Sequence, residues 1–231
     1  MMQNKFPEPW KYAKVIPIHK KGDVPEKKNY RPVSILSPVS KVLERVVFDQ
    51  LYHYFSRNRL LHPNSMGFRK NRSTLTSVLQ MYDKWIRGAL NGEISAVVLL
   101  DLSAAFDLVC PNLLVEKLRI YGIQQDCLEW IQSYLIGRKQ SVWIDHTLSG
   151  WLPVEVGVPQ GSILGPLLFV IFANDLPFVL TCDIDTYADD STLTSTQRDI
   201  YSVNEEMNLN CNLVYQWKKR TNFVLIQKRH I

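Results

Sequence analysis

Residues Ser95-Ala96-Val97-Val98-Leu99-Leu100 run without a charged residue into Asp101, and no other feature of the chain constrains its fold as strongly. A continuous β-favouring run of this length reads as a buried strand that delivers a carboxylate at its C-terminal end. Residues 183–196 alternate polar and apolar side chains around Tyr187-Ala188-Asp189-Asp190, which reads as a hairpin with acids at its tip. Helical spacing surrounds these strands. After Ser37-Pro38, an N-cap followed by a first-turn proline, Leu43, Val47, Leu51 and Tyr54 recur at helical intervals. Leu75, Leu79, Tyr82 and Ile86 share one face of a helix beginning near Ser73, and residues 113–121 and 125–135 form short helices stopped by Gly122 and Gly137. Pro159-Gln160-Gly161-Ser162 opens an apolar helical stretch reaching Asn174, and Ile200, Val203, Met207 and Val214 mark a last helix. Extended pieces within 10–35 flank the turn-rich residues 20–28 as a basic hairpin, while 138–145 and 151–157 read as paired strands.

With 46% apolar and 21% charged residues, the chain can bury a core and lacks the low hydrophobicity of disordered sequences. Its most apolar stretch, 167–173, is far shorter than the roughly 20 residues of a membrane helix. Residues 1–10 do not read as a secretory signal, so an intracellular protein is expected. Cys110, Cys127, Cys182 and Cys211 make no CxxC pair and lack zinc-type spacing, and they read as reduced core thiols. Charge is uneven: residues 1–100 hold 17 Lys or Arg against 7 Asp or Glu, and residues 101–231 hold 10 against 15. The front half suits a polyanion, although a solvated basic surface explains the same counts.

A strand-end aspartate such as Asp101 usually caps or turns a chain, and a turn pair such as Asp189-Asp190 usually accepts local backbone bonds. Together they mean something else. Carboxylates on adjacent strands can hold two Mg²⁺ ions roughly 4 Å apart, which activate an attacking hydroxyl and stabilise an in-line phosphoryl transfer. Oxygen ligands suit Mg²⁺ better than zinc.

Three blocks stand in the front half: 10–23, Asn29-Tyr30-Arg31-Pro32-Val33-Ser34 and Gly67-Phe68-Arg69-Lys70-Asn71-Arg72-Ser73-Thr74. Leu100-Asp101-Leu102-Ser103-Ala104-Ala105-Phe106-Asp107, the block 157–166 and Tyr187-Ala188-Asp189-Asp190 follow. With these blocks in this order, the sequence resembles the reverse transcriptase domain of non-LTR (LINE-type) retrotransposons from about Phe6 to Trp217. The resemblance implies an α+β right-hand polymerase fold, with fingers and a palm built on a small antiparallel sheet. Fingers are expected at 1–94 and 112–158, palm at 95–111 and 159–231.

It further implies an RNA-directed DNA polymerase that adds deoxynucleotides to a primer 3′-hydroxyl. The expected partners are an RNA template, a DNA primer and deoxynucleoside triphosphates, with no membrane. Asp101, Asp189 and Asp190 would hold two Mg²⁺ ions, with Mn²⁺ as a substitute. Tyr187 would help place the primer end or pack in its hairpin. Phe106 would block a ribose 2′-hydroxyl or simply fill core. Gln160 and Gly161 would border the nucleotide, the glycine allowing close backbone approach, although helix initiation also explains them. Lys20, or its neighbour Lys21, and Arg31 would reach the triphosphate. Arg69, Lys70 and Arg72 would contact template phosphates or form a solvated loop.

After Trp217 the sequence departs from the family's primer-gripping continuation, and no endonuclease sequence precedes Met1. A truncated copy without a thumb is therefore expected. Its alternative is a defective remnant that only binds RNA through the basic front half.

Overall fold

The computed structural model describes residues 4–102, 105–221 and 225–226. Ser103 and Ala104 of the resemblance, and most of the tail after Thr221, lie outside the described residues. In chain order the elements are β1 (Tyr12–His19), β2 (Tyr30–Ile35), α1 (Pro38–Arg57), α2 (Thr74–Leu90), β3 (Ile94–Leu102), α3 (Pro111–Ile120) and α4 (Gln125–Leu135). Then come β4 (Arg138–Ile144), β5 (Thr147–Leu148), β6 (Leu152–Val154), α5 (Gly165–Ala173), β7 (Asp183–Tyr187), β8 (Asp190–Gln197), α6 (Ile200–Thr221) and β9 (Leu225–Ile226). Two compact units result, one from Met1–Tyr54 and Val109–Leu168, the other from Phe55–Leu108 and Phe169–Ile231. Among the described residues no helix is long and apolar enough to cross a membrane.

The first unit holds a mixed sheet in the order β2-β1-β4-β5, with β6 also paired to β4. β1 and β2 form the expected hairpin, registered from Lys14↔Ile35 to His19↔Tyr30, and β1 runs parallel to β4. At the hairpin's end the Asn29 side-chain Nδ2 donates to the Asp23 carbonyl and the Tyr30 hydroxyl donates to the Val24 carbonyl, while Gly22 sits at a left-handed φ of 83°. Such a turn is closed by side chains because its charged residues bring no apolar surface of their own. Phe6 is buried with its ring 5.0 Å from Tyr134, and the buried Arg138 guanidinium lies over both rings.

The second unit holds a fully antiparallel sheet in the order β7-β8-β3-β9. Side chains alternate between faces. On one face stand Ser95, Val97, Leu99 and Asp101 of β3, opposite Thr196, Thr194, Thr192 and Asp190 of β8. α2 packs on this face: the Trp85 indole donates to Thr194, and Lys84 Nζ lies 3.1 Å from Asp185 and 3.4 Å from Asp183. α6 serves the opposite face, where the Ser195 hydroxyl donates to Glu206. Ser73 closes the start of α2 with a capping box, exchanging bonds with Thr76.

Several expectations are corrected. The apolar stripe of α2 is not core: Leu75, Leu79, Tyr82 and Ile86 are exposed, because the helix turns Ser77, Lys84, Trp85 and Gly88 toward the sheet instead. β3 is not buried on both faces, since Val97 and Leu99 are 40% and 60% exposed. The compact units divide after Tyr54, and α2 is joined to β7 and β8 within the second. The cysteines are free but not core thiols. Cys127 is exposed and the others are half-buried. Burial pushes the Cys182 thiol up to about 11, which leaves it an unreactive thiol at neutral pH.

Asp185 is buried beside Lys84, and burial raises its carboxyl above the usual range while Lys84 pulls it back. Asp183 adds to the upward shift and His62 opposes it. A proton held more tightly in the folded state contributes stability below the ordinary aspartate value of about 3.9, and that contribution is lost as pH rises through the raised value. Asp185→Asn cannot ionise and keeps an acceptor for Lys84. Its stability relative to the parent should therefore increase between about pH 4 and about pH 7. Thermal unfolding at both pH values checks the sign, and a difference that shrinks over this range contradicts the assignment.

Candidate active site

The register of the second unit's sheet sets Asp101 of β3 directly opposite Asp190 of β8, and Tyr187 of β7 opposite Asp190 on its other side. Paired residues in an antiparallel sheet share a face with Cβ atoms about 5 Å apart. Segments 89 residues apart in sequence thus present two carboxylates side by side. Asp189 belongs to the two-residue turn Ala188-Asp189, and its carbonyl accepts from the Leu102 amide at 3.3 Å. Ala188 has a φ of 58°, at the first turn position where glycine is usual in hairpins.

Among the described residues, no three Asp, Glu, His or Cys side chains are grouped closely enough to enclose a cation. The donor set still fits Mg²⁺ in kind. That ion takes one or two carboxylates and completes its octahedron with water and substrate phosphates. Asp101 and Asp190 supply such a pair on one face.

Phe106 lies in a 3-10 turn over Ala105–Leu108 and is half-buried. Its ring centroid is 4.9 Å from Phe169 and 6.0 Å, edge-on, from Phe68. It is packed and partly open at once. In the loop 62–72, Lys70 and Arg72 are exposed, but one Arg69 guanidinium nitrogen donates to both the His62 and Ser65 carbonyls at 2.8 Å. Arg69 therefore builds its own loop.

Four other candidates lie in the first unit. Lys20 is exposed at the end of β1, and its amide closes the hairpin by donating to Asn29. Arg31 is exposed on β2. The same strand holds the 159–162 segment: the Ser34 amide donates to the Gln160 carbonyl at 3.0 Å. Gly161, at a φ of 100°, approaches the Ser34 carbonyl so closely that a Cβ would lie 2.8 Å from it. The neighbour that requires glycine here is the β2 backbone. The expected helix also starts later, at Gly165, because Pro159 lacks an N–H, Gly161 is left-handed and Ser162 bonds locally to Pro159 and Gly165.

Sequence reasoning missed Glu44. It is fully buried in α1, where Oε2 accepts from the Ile163 and Leu164 amides at 2.8 and 3.3 Å. It stands on one helix face with Ser40, Leu51 and Phe55, and this acid among buried positions was the available signal. Its Oε1 and the Tyr134 hydroxyl make no hydrogen bond of good geometry, and burial followed by the Glu44 charge holds the Tyr134 phenol well above its usual value.

The sequence profile of the family described as "Reverse transcriptase (RNA-dependent DNA polymerase)" matches residues 18–228. The chain belongs to the reverse transcriptase family. Among its curated relatives is the RNA-directed DNA polymerase from mobile element jockey of Drosophila melanogaster, 31% identical over 94% of this chain and 25% of that protein. The "Probable RNA-directed DNA polymerase from transposon BS" of the same fly is 34% identical over 74% of this chain and 19% of its own length. These are non-LTR retrotransposon reverse transcriptases, and the chain spans about a quarter or less of each. Solved structures share the fold at low identity. The telomerase of Candida albicans, in complex with a telomeric RNA fragment, superposes with a TM-score of 0.65 at 13% identity, covering 98% of this chain and 44% of that one. Apo telomerase of Candida tropicalis, truncated from its C-terminal domain, gives 0.64 at 12%, over 96% and 51%.

Proposed function

We propose that this reverse transcriptase chain is the catalytic core of an RNA-directed DNA polymerase, extending a DNA primer on an RNA template. The observation that carries the reading is the register of Asp101 opposite Asp190, with Asp189 and Tyr187 at the same hairpin. Residues 95–111 and 159–231 serve as palm, and residues 1–94 and 112–158 as fingers. Asp101, Asp189 and Asp190 would hold two Mg²⁺ ions, or Mn²⁺, which when bound activate the primer hydroxyl and neutralise charge on the transferring phosphate.

The chain's own groups divide the remaining work. Lys20 and Arg31 meet the triphosphate with paired cationic donors, since phosphate oxygens are best matched by charged N–H groups. Gln160 borders the nucleotide, held at a fixed height because its carbonyl is tied to Ser34. Tyr187, beside Asp190, places the primer end. Lys70 and Arg72 attract template phosphates, a contribution that falls steeply with salt. Phe106 meets the incoming sugar with an aromatic edge where a 2′-hydroxyl would clash, backed by Phe169.

Phe106→Val should raise ribonucleotide over deoxynucleotide incorporation about tenfold or more, the scale of a lost steric contact in a pocket. Single-nucleotide addition with each substrate on an RNA template reads the ratio. An unchanged ratio returns Phe106 to core packing. Duplex binding that persists in EDTA, with no extension in Mg²⁺ either, favours the alternative of a chain that only binds RNA.

A further inference from the structure

The outer edge of β7 is covered by the loop 62–69, which is built around three unusual features. The Thr186 amide donates to the Asn64 carbonyl at 3.0 Å and the Met66 amide donates to the Thr186 carbonyl at 2.8 Å, so the loop runs as a short parallel partner of the strand. Gly67 follows, buried against the Ala188 backbone. A Cβ at Gly67 would overlap the Ala188 nitrogen and lie 3.0 Å from Ala188 Cα and 3.2 Å from the Tyr187 carbonyl carbon. Gly67 is not in the left-handed region, so space alone, and not backbone conformation, demands glycine here.

Phe68, next in the chain, has a φ of 56°, an outlier for a bulky side chain, and so swings its ring edge-on to Phe106. A strained residue persists only where its surroundings over-determine it. Here the two carbonyls gripped by Arg69 and the pairing to β7 supply that constraint.

We infer that this loop is a positioning element with two outputs: Gly67 sets the depth of the Ala188-Asp189 turn, and Phe68 sets the tilt of Phe106. The inference rests on the reading of the acids as metal ligands and of Phe106 as the sugar filter. Neither Gly67 nor Phe68 touches the reacting atoms. Both act through a neighbour, and a displacement of about 1 Å at a reacting centre is enough to lower a rate on the order of a hundredfold.

Mn²⁺ binding to the full chain, read by electron paramagnetic resonance, separates the possibilities. Gly67→Ala should weaken Mn²⁺ about tenfold with an unchanged far-ultraviolet circular dichroism spectrum, because the wedge shifts the turn that carries Asp189 while every carboxylate remains in the chain. Asp189→Asn should also weaken it. If Asp189→Asn weakens Mn²⁺ and Gly67→Ala does not, the inference is wrong and the metal-site reading stands. If neither does, both fall.

Phe68→Gly tests the second output without backbone strain, since glycine accepts the left-handed backbone. It should raise the ribonucleotide to deoxynucleotide ratio about tenfold with an unchanged far-ultraviolet circular dichroism spectrum. A ratio that changes in Phe106→Val but not in Phe68→Gly overturns the positioning role of Phe68. Should Gly67→Ala not fold, Arg69→Ala loosens the same loop and is expected to weaken Mn²⁺, with Arg69→Lys restoring part of the loss. Unaltered affinity in Arg69→Ala overturns the inference equally.

Discussion

Asp189→Asn is expected to reduce single-nucleotide addition on the order of a thousandfold, with the fold retained. Metal-assisted stabilisation of a phosphoryl transition state is worth several kcal/mol, and about 1.4 kcal/mol corresponds to a factor of ten. Asp189 occupies a two-residue turn whose tie to β3 is made by its backbone carbonyl, so the amide side chain leaves the Leu102 bond untouched. Asp101→Asn should fall comparably, because Asp101 and Asp190 form the facing pair. Rapid-quench kinetics with unfolding curves alongside distinguish the chemistry from stability. A variant within tenfold of the parent rate contradicts the role given to that carboxylate.

Glu44→Ala carries the largest expected effect on stability. The carboxylate is fully buried, and its removal leaves the Ile163 and Leu164 amides without the acceptor that now satisfies them. Hydrogen bonds to a charged group and the penalty for orphaned donors together predict a loss of about 3 kcal/mol. Glu44→Gln keeps an acceptor oxygen of the same reach and should lose about 1 kcal/mol or less. Because these amides lie only two to four residues beyond Gln160 and Gly161, Glu44→Ala should also raise the KM for deoxynucleotides more than it lowers kcat. Urea unfolding and steady-state kinetics test both parts. A Glu44→Ala chain as stable as the parent would show that the 159–164 segment is held by β2 alone.

The elements legible in the sequence are those whose signal is local. The β7–β8 hairpin could be read because alternation of period two survives at one buried face, and the start of α2 because Ser73 and Thr76 form a box within four residues. That Asp101 and the hairpin acids belong on neighbouring strands was suggested by the chemistry of paired acids and by the family resemblance, while the register that sets Asp101 opposite Asp190 is visible only in the sheet. What stayed hidden depends on partners far along the chain. Glu44 meets amides 119 and 120 residues away, and nothing near it in sequence announces them. The α2 stripe misled because an apolar face at helical spacing looks the same whether covered or open, while the buried face is made of Lys84, Trp85 and Gly88, held by bonds to β7 and β8 and by close packing. Gly67 and Arg69 belong to a block the resemblance already contained, but their roles in the loop are visible only once Ala188, His62 and Ser65 are beside them.

The most direct measurement is incorporation of one deoxynucleotide into a DNA primer annealed to RNA, with the chain in excess over primer so that weak primer holding does not limit the signal. Addition that requires Mg²⁺, stops in EDTA and is lost in Asp189→Asn is the predicted result. A chain that binds the duplex but adds no nucleotide in Mg²⁺ or Mn²⁺, at any enzyme excess, would contradict the account.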